Sequence, residues 1–276
     1  MKKLVKDFQI MKNEGKKITV LTAYDAPMAR VLHDSEVDML LVGDSLGMVV
    51  LGYDSTVPVT MEEMLHHAKA VRRGTPEAFV VCDMPFGSYQ TGVRDAVLNA
   101  LRLCKEAGAD AVKLEGGVEI SETIRAIVTA GMSVMGHIGL TPQTASQLGG
   151  FKVQGKDIQT ASKILADARS VQEAGAFSVV LECVPSELGR LITSQLHIST
   201  IGIGAGPECD GQVLVVNDLL GLYDKFKPKF VKQYHSLAPL LKASVEEYVS
   251  EVRSGSFPSP EFSFTCATDY SKLLGD

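Results

Sequence analysis

Three things are scarce in this chain, and each absence excludes a class of function. Positive charge is short: 27 Lys and Arg stand against 33 Asp and Glu, a net charge of −6. With no basic stripe along the chain, that balance argues against a nucleic-acid or anionic-membrane partner. Cysteine pairing is missing as well. The five cysteines are odd in number and never fall in C-x-x-C spacing, which suits a reducing, cytoplasmic setting. Long apolar runs are absent too, none approaching the roughly 20 residues that a membrane helix needs. Met1-Lys-Lys-Leu-Val-Lys-Asp7 is basic without an apolar stretch behind it, so it does not read as a secretion signal. What is present is ordinary for a globular protein: 45% apolar and 22% charged residues over 276 positions. That length fits a single α/β barrel, which commonly runs to about 250 residues.

The chain is organised around Ala109-Asp-Ala-Val-Lys-Leu-Glu-Gly-Gly117. It reads as a buried strand carrying two charges, Lys113 and Glu115, which the strand's period of two puts on one face. Unpaired charge in a core is costly, so the two satisfy each other or hold something. The passage Glu106-Ala-Gly-Ala-Asp-Ala-Val-Lys-Leu-Glu115 returns as Glu173-Ala-Gly-Ala-Phe-Ser-Val-Val-Leu-Glu182, with a weaker copy at 130–137. Each copy is a helix end, a glycine suited to a left-handed cap, and a strand closing on a polar residue.

Taken in order, strands are expected at 17–23, 37–44, 78–83, 109–117, a fifth ending at His137, a sixth ending at Glu182, then 198–204 and 212–216. Helices are expected at 26–33, from Thr60 to 73, 93–107, 119–130, 158–174, from Pro185 onward, and 237–253. Thr60-Met-Glu-Glu63 is a capping box, and 46–59 reads as a long loop. Pro185 is placed at the first helical position. Most strands are continuously apolar, as parallel strands covered on both faces are. One closed (β/α)8 TIM barrel over residues 1–276 is the economical reading, with 257–276 a loosely ordered tail. An open doubly wound sheet is second, disfavoured by the absence of an early G-x-G-x-x-G. Cys82 and Cys183 each neighbour an acid, so parity turns both toward the outer helices as core thiols.

Barrel chemistry lies at the C-terminal strand ends, which here carry Asp44, Asp83, Glu115, His137 and Glu182. Four carboxylates at one rim repel unless a cation or proton intervenes. Oxygen ligands without cysteine select a hard ion such as Mg2+ over zinc. Any one of these acids alone could equally be a helix cap. Lys113 is a salt-bridge partner of Glu115, a Schiff-base nucleophile, or a cation for a substrate carboxylate, the last favoured beside a metal. His137 is either a site residue or a core histidine. Gly202-Ile-Gly-Ala-Gly206 is a weak phosphate-cradle candidate, and His66-His67 is expected on the surface.

At these residues the sequence resembles the ketopantoate hydroxymethyltransferase family of the phosphoenolpyruvate/pyruvate barrel superfamily. The matching motifs include Val42-Gly-Asp-Ser-Leu-Gly-Met48, Gly52-Tyr-Asp-Ser-Thr-Val-Pro-Val-Thr60, Lys113-Leu-Glu-Gly-Gly117, Gly136-His-Ile-Gly-Leu-Thr-Pro-Gln143, Lys152-Val-Gln-Gly155, Leu181-Glu-Cys-Val-Pro185 and Ile201-Gly-Ile-Gly-Ala-Gly206. They run in the family's order over about residues 16–264, and the tail beyond passes the family's usual end. The resemblance implies transfer of a one-carbon unit from 5,10-methylenetetrahydrofolate to a small 2-oxo acid, 3-methyl-2-oxobutanoate, in pantothenate synthesis. It implies Mg2+ on Asp44 and Asp83, with Glu115 completing the site directly or through water. Asp44, Ser45, Asp83 and Lys113 would bind the substrate, Glu182 would take the C3 proton, and His137 would move protons nearby. Residues 149–155 would form a lid, and the assembly would be a homo-oligomer, a decamer. No aromatic cluster marks a seat for the pterin. The rivals are another Mg2+-dependent 2-oxo acid lyase, although the superfamily's K-K-C-G-H-like loop is absent, a class I aldolase using Lys113, and a non-catalytic ligand-binding barrel.

Overall fold

The computed structural model describes residues 2–223 and 225–274. Eight parallel strands close on themselves in sequence order: β1 (Ile18–Thr22), β2 (Met39–Val42), β3 (Val80–Asp83), β4 (Ala111–Glu115), β5 (Ser133–Gly139), β6 (Ser178–Glu182), β7 (Ser199–Ile203) and β8 (Gly211–Leu214). The outer helices are α2 (Ala26–Asp34), α4 (Met61–Gly74), α5 (Val93–Ala107), α6 (Ser121–Thr129), α7 (Ile158–Glu173) and α8 (Ser186–Gln195). No helix separates β7 from β8. A short α3 (Leu46–Val49) lies in the segment expected to be loop, and a short α9 (Val216–Leu219) follows β8. The final helix, α10 (Leu237–Ser254), buries none of its residues.

The expected capping box is present: the Thr60 hydroxyl accepts the Glu63 N–H while the Glu63 carboxylate accepts the Thr60 N–H. Pro185 stands one position earlier than expected, as the residue before helix α8. The repeated glycines do what their spacing required. Gly108 ends α5 at φ 70° and Gly175 follows α7 at φ 99°, a left-handed backbone that side chains resist.

Strand parity divides the apolar residues into two layers. Ile18, Val20, Leu41, Val81, Ala111, Met135, Val180, Ile201 and Val213 fill the barrel interior. Leu40, Val80, Cys82, Val112, Val134, Val179 and Leu181 face outward under the helices. A helix not expected from the sequence, α1 (Val5–Asn13), closes the barrel's N-terminal end. Its Phe8 is fully buried, 4.9 Å by ring centroid from Phe79, and its carbonyl accepts the Ser199 hydroxyl. The floor is therefore sealed, and the other end is left for chemistry. Residues 257–274 carry only two short 3-10 turns, with most side chains exposed. The last two positions of the expected tail, 275–276, lie outside the described residues.

Candidate active site

Register brings the polar strand ends together. In the parallel ladder Asp83 lies beside Lys113, Glu115 beside His137, and Glu182 beside Gly139. Lys113 and Glu115 share the inward face, as the period of two required. Lys113 does not satisfy Glu115, however. Its ammonium lies 3.1 Å from Asp83 Oδ1 and 3.0 Å from His137 Nδ1. A cavity of about 140 Å³ opens above the core layer, lined by Asp44, Ser45, Asp83, Lys113, Glu115, His137 and Glu182. Every site residue expected from the sequence lines this one space.

The acids are positioned by backbone donors and by one amide. Asp83 Oδ2 accepts the Asp44 N–H at 3.0 Å, which sets the two carboxyl-bearing residues side by side. Gln143, in the 3-10 turn after β5, donates from Nε2 to Asp44 Oδ2 and to the Met84 carbonyl, both at 2.9 Å. Its backbone N–H donates to Glu115 Oε2 at 3.0 Å, and its Oε1 accepts the Tyr89 hydroxyl at 2.7 Å. One residue thus holds two acids and is itself held. Ser45 lies 2.9 Å from the Tyr24 hydroxyl.

Burial dominates the electrostatics. It pushes Asp44 up to about 7, with Asp83 adding to the rise and Lys113 opposing it. Glu115 is raised well above the usual carboxylate range by the same burial. Burial works against the Lys113 ammonium, but Asp83, Glu115 and Asp44 outweigh it and hold the lysine charged. The reverse holds for His137, which burial and the Lys113 charge keep neutral. A charged Lys113 must donate to Nδ1, so the imidazole proton sits on Nε2, 3.1 Å from Glu182 Oε2. That contact falls short of hydrogen-bond geometry. Glu182 itself is pushed up to about 7 by burial, with Lys113 pulling the other way.

A divalent cation fits this chemistry. Asp44 and Asp83 are adjacent buried acids, and Asp83 Oδ1 has no hydrogen bond of proper geometry despite the nearby lysine. A hard cation between oxygen donors relieves such repulsion. Glu115 is less free, since Gln143 occupies Oε2 and His137 stands 3.5 Å from Oε1. As the side chains stand, no three His, Cys, Asp or Glu among the described residues form a metal-binding group.

A second, larger space of about 330 Å³ opens directly outside the first and shares Ser45, Glu182, Val215, Asp218 and Phe230 with it. Met48, Val49, Leu140, Phe151, Tyr223, Phe226 and Phe230 make it largely apolar, with Lys152 and Lys229 also on its lining. Its aromatic side chains come from Phe151 and from the short segment that holds Tyr223, Phe226 and Phe230.

Several expectations need correction. Cys183 does not lie under the outer helices: it takes φ 48° just past β6, which breaks the strand's parity and turns it onto the outer cavity. Burial still raises its thiol to about 12. His67 is not a free surface residue, because its Nδ1 lies 2.7 Å from the Tyr24 carbonyl. The glycines after β7 serve close packing: a Cβ at Gly204 would stand 2.9 Å from the Phe230 ring, and one at Gly206 would strike Ser186. Gln143, Tyr89 and Asp218 carried no expected role. Asp218 sits four residues past the end of β8, the kind of place that singled out the other acids.

Comparison with known proteins identifies the family. The family model described as ketopantoate hydroxymethyltransferase matches residues 2–260. The 3-methyl-2-oxobutanoate hydroxymethyltransferase of Desulfotalea psychrophila is 61% identical over 274 residues, covering 99% of this chain and 98% of its own, tail included. That of Moorella thermoacetica is 62% identical over 256 residues, covering 93% and 95%. Among solved structures, the phosphoenolpyruvate phosphomutase of Streptomyces platensis subsp. rosaceus superimposes with TM-score 0.62 at 15% identity, covering 99% of this chain and 96% of its own. A phosphonopyruvate hydrolase complex with oxalate and Mg++ superimposes at 0.61 with 11% identity, covering 100% and 95%. Those two likenesses establish the barrel fold; the sequence relatives establish more. The chain belongs to the ketopantoate hydroxymethyltransferase family and is a transferase.

Proposed function

We propose that this chain transfers a hydroxymethyl unit from 5,10-methylenetetrahydrofolate to C3 of 3-methyl-2-oxobutanoate, giving 2-dehydropantoate, through an enolate in the inner cavity. The observation that carries the reading is Glu182. It is a mostly buried carboxylate poised at about 7 on the wall of the same cavity as the Asp44–Asp83 pair, and it is contacted by a neutral imidazole. A general base works best when its pKa lies near the operating pH.

In this reading Asp44 and Asp83 hold Mg2+, with Glu115 acting through water because Gln143 already occupies one of its oxygens. The ion would supply Lewis-acid stabilisation of the keto oxygen as negative charge develops on it. Lys113, kept charged among three acids, binds the 2-oxo acid's carboxylate together with Ser45. Glu182 removes the C3 proton, and His137 Nε2–H steadies the carboxylate that does so. The one-carbon donor occupies the outer apolar cavity, with residues 149–155 excluding water above it.

The exposed Leu240, Leu241, Val245 and Tyr248 of α10 support a homo-oligomer, and the family resemblance a decamer. The absence among the described residues of a helix able to cross a membrane is compatible with a cytoplasmic reaction. Deuterium exchange at C3 of 3-methyl-2-oxobutanoate, followed by NMR with Mg2+ or with EDTA, tests the reading. Metal-dependent exchange supports it, and exchange that survives EDTA overturns it.

A further inference from the structure

The hydroxymethyl product sets a demand that the residues above do not meet. The donor's methylene carbon carries two bonds to nitrogen and none to oxygen. Direct attack by the enolate would leave that carbon on nitrogen, so the product hydroxyl must come from water. Something has to deliver that water to the methylene carbon, which the function proposed above would bring to where the two cavities meet. Glu182 is unsuited, because it already holds the C3 proton when the enolate exists. Asp44 and Glu115 accept from Gln143, and Asp83 faces Lys113.

Asp218 is placed for the task. It stands on α9 just beyond β8, half-buried, and lines both cavities at once. Its carboxylate makes no hydrogen bond to a side chain or backbone group among the described residues, and burial raises it to about 6. An acid in that range gives and takes protons readily near neutrality.

Building on the function proposed above, we infer that Asp218 is the group that hydrolyses the folate-borne methylene, so that the carbon reaches the enolate as formaldehyde. Its carboxyl proton passes to the nitrogen that leaves as the five-membered ring opens, that C–N bond's electron pair going to nitrogen. Water oxygen then bonds to the resulting iminium carbon while a water proton returns to Asp218. The hydroxyl proton of this carbinolamine moves, by way of the same carboxylate, to the second nitrogen. The second C–N bond breaks, leaving tetrahydrofolate and formaldehyde. C3 of the enolate bonds to the formaldehyde carbon, and the new alkoxide takes the proton held by Glu182. No oxidant or reductant enters.

The test compares wild type, Asp218→Asn and Asp218→Glu in three assays. These are C3 exchange, product formation from free formaldehyde, and initial product formation from 5,10-methylenetetrahydrofolate with a formaldehyde trap in solution. The inference expects Asp218→Asn to lose about 10²- to 10⁴-fold of the folate-dependent rate, the usual reach of acid–base catalysis. It expects Asp218→Glu to recover part of that loss, with C3 exchange and the formaldehyde-fed reaction unchanged in both variants. An Asp218→Asn enzyme that keeps its folate-dependent rate would overturn the inference, and so would equal losses in all three assays. Wild type that neither exchanges C3 nor forms product from formaldehyde would instead strike the reaction itself.

Discussion

Asp44 concentrates the cost of this site in one side chain. Its carboxyl is raised to about 7, chiefly by burial and then by Asp83, so ionising it opposes folding. Replacing it with Asn removes the charge while keeping an acceptor for Gln143 Nε2. Asp44→Asn should therefore raise the melting temperature in EDTA at neutral pH by several degrees, and it should abolish any stabilisation by Mg2+. A variant that melts earlier than wild type in EDTA would mean that the Asp44–Asp83 repulsion is not a real burden. Gln143 makes the complementary case. Gln143→Ala frees Asp44 alone, since Glu115 keeps its backbone donor, and it leaves Asp44 Oδ2 and the Met84 carbonyl without the amide that both accept from. Unsatisfied buried polar groups cost about 1–3 kcal/mol each. The variant should lose stability of that order and bind Mg2+ more weakly, measured by denaturant unfolding and by titration calorimetry.

Among the elements, α1 and β4 show how sequence becomes site. Phe8 closes the barrel floor against Phe79 and Phe177, and Phe8→Ala should destabilise by about 3–5 kcal/mol. Its C3 exchange rate at low temperature should be nearly normal, since the floor lies at the opposite end from Glu182. β4 carries the organising pair, and its ladder neighbours turn Lys113 toward Asp83 and Glu115 toward His137. Strand periodicity, the glycine-marked repeats and the polar strand ends made the barrel and its acids legible in the sequence. Partner choice was not legible, because it depends on register between strands far apart in the chain. Gln143 stayed silent for a related reason: an amide after a strand has no charge to explain, and its contacts to Asp44, Met84 and Glu115 exist only once β2, β3 and β4 lie side by side. α1 was missed because a short helix whose buried anchor is a single Phe8 offers little periodicity. The aromatic lining of the outer cavity comes from Phe151 and from Tyr223, Phe226 and Phe230; those last three lie within eight residues of one another and were legible as a cluster, but nothing in the segment tied it to the strand ends.

At the scale of the whole molecule, the raised carboxyls make stability depend on pH and metal together. Asp44 and Glu182 titrate at about 7 when folded, against ordinary values of 3.8 and 4.5. The folded protein binds more protons over that interval, so their contribution is present at low pH and lost as pH rises through about 7. Mg2+ competes with the proton on Asp44, and its stabilising effect on thermal unfolding should be larger at about pH 8 than at about pH 5. Light scattering should give a mass several times the 29.6 kDa of one chain, and a monomer would remove the role assigned to α10's apolar face. The central claim is that a metal-held 2-oxo acid loses its C3 proton to Glu182. Deuterium exchange at C3 in wild type and Glu182→Gln, across pH and with tetrahydrofolate present if exchange needs it, tests this most directly. Exchange should require Mg2+, rise as pH passes through about 7, and fall by about 10²- to 10⁴-fold in the variant. Exchange that persists in Glu182→Gln, or in EDTA, would contradict the account.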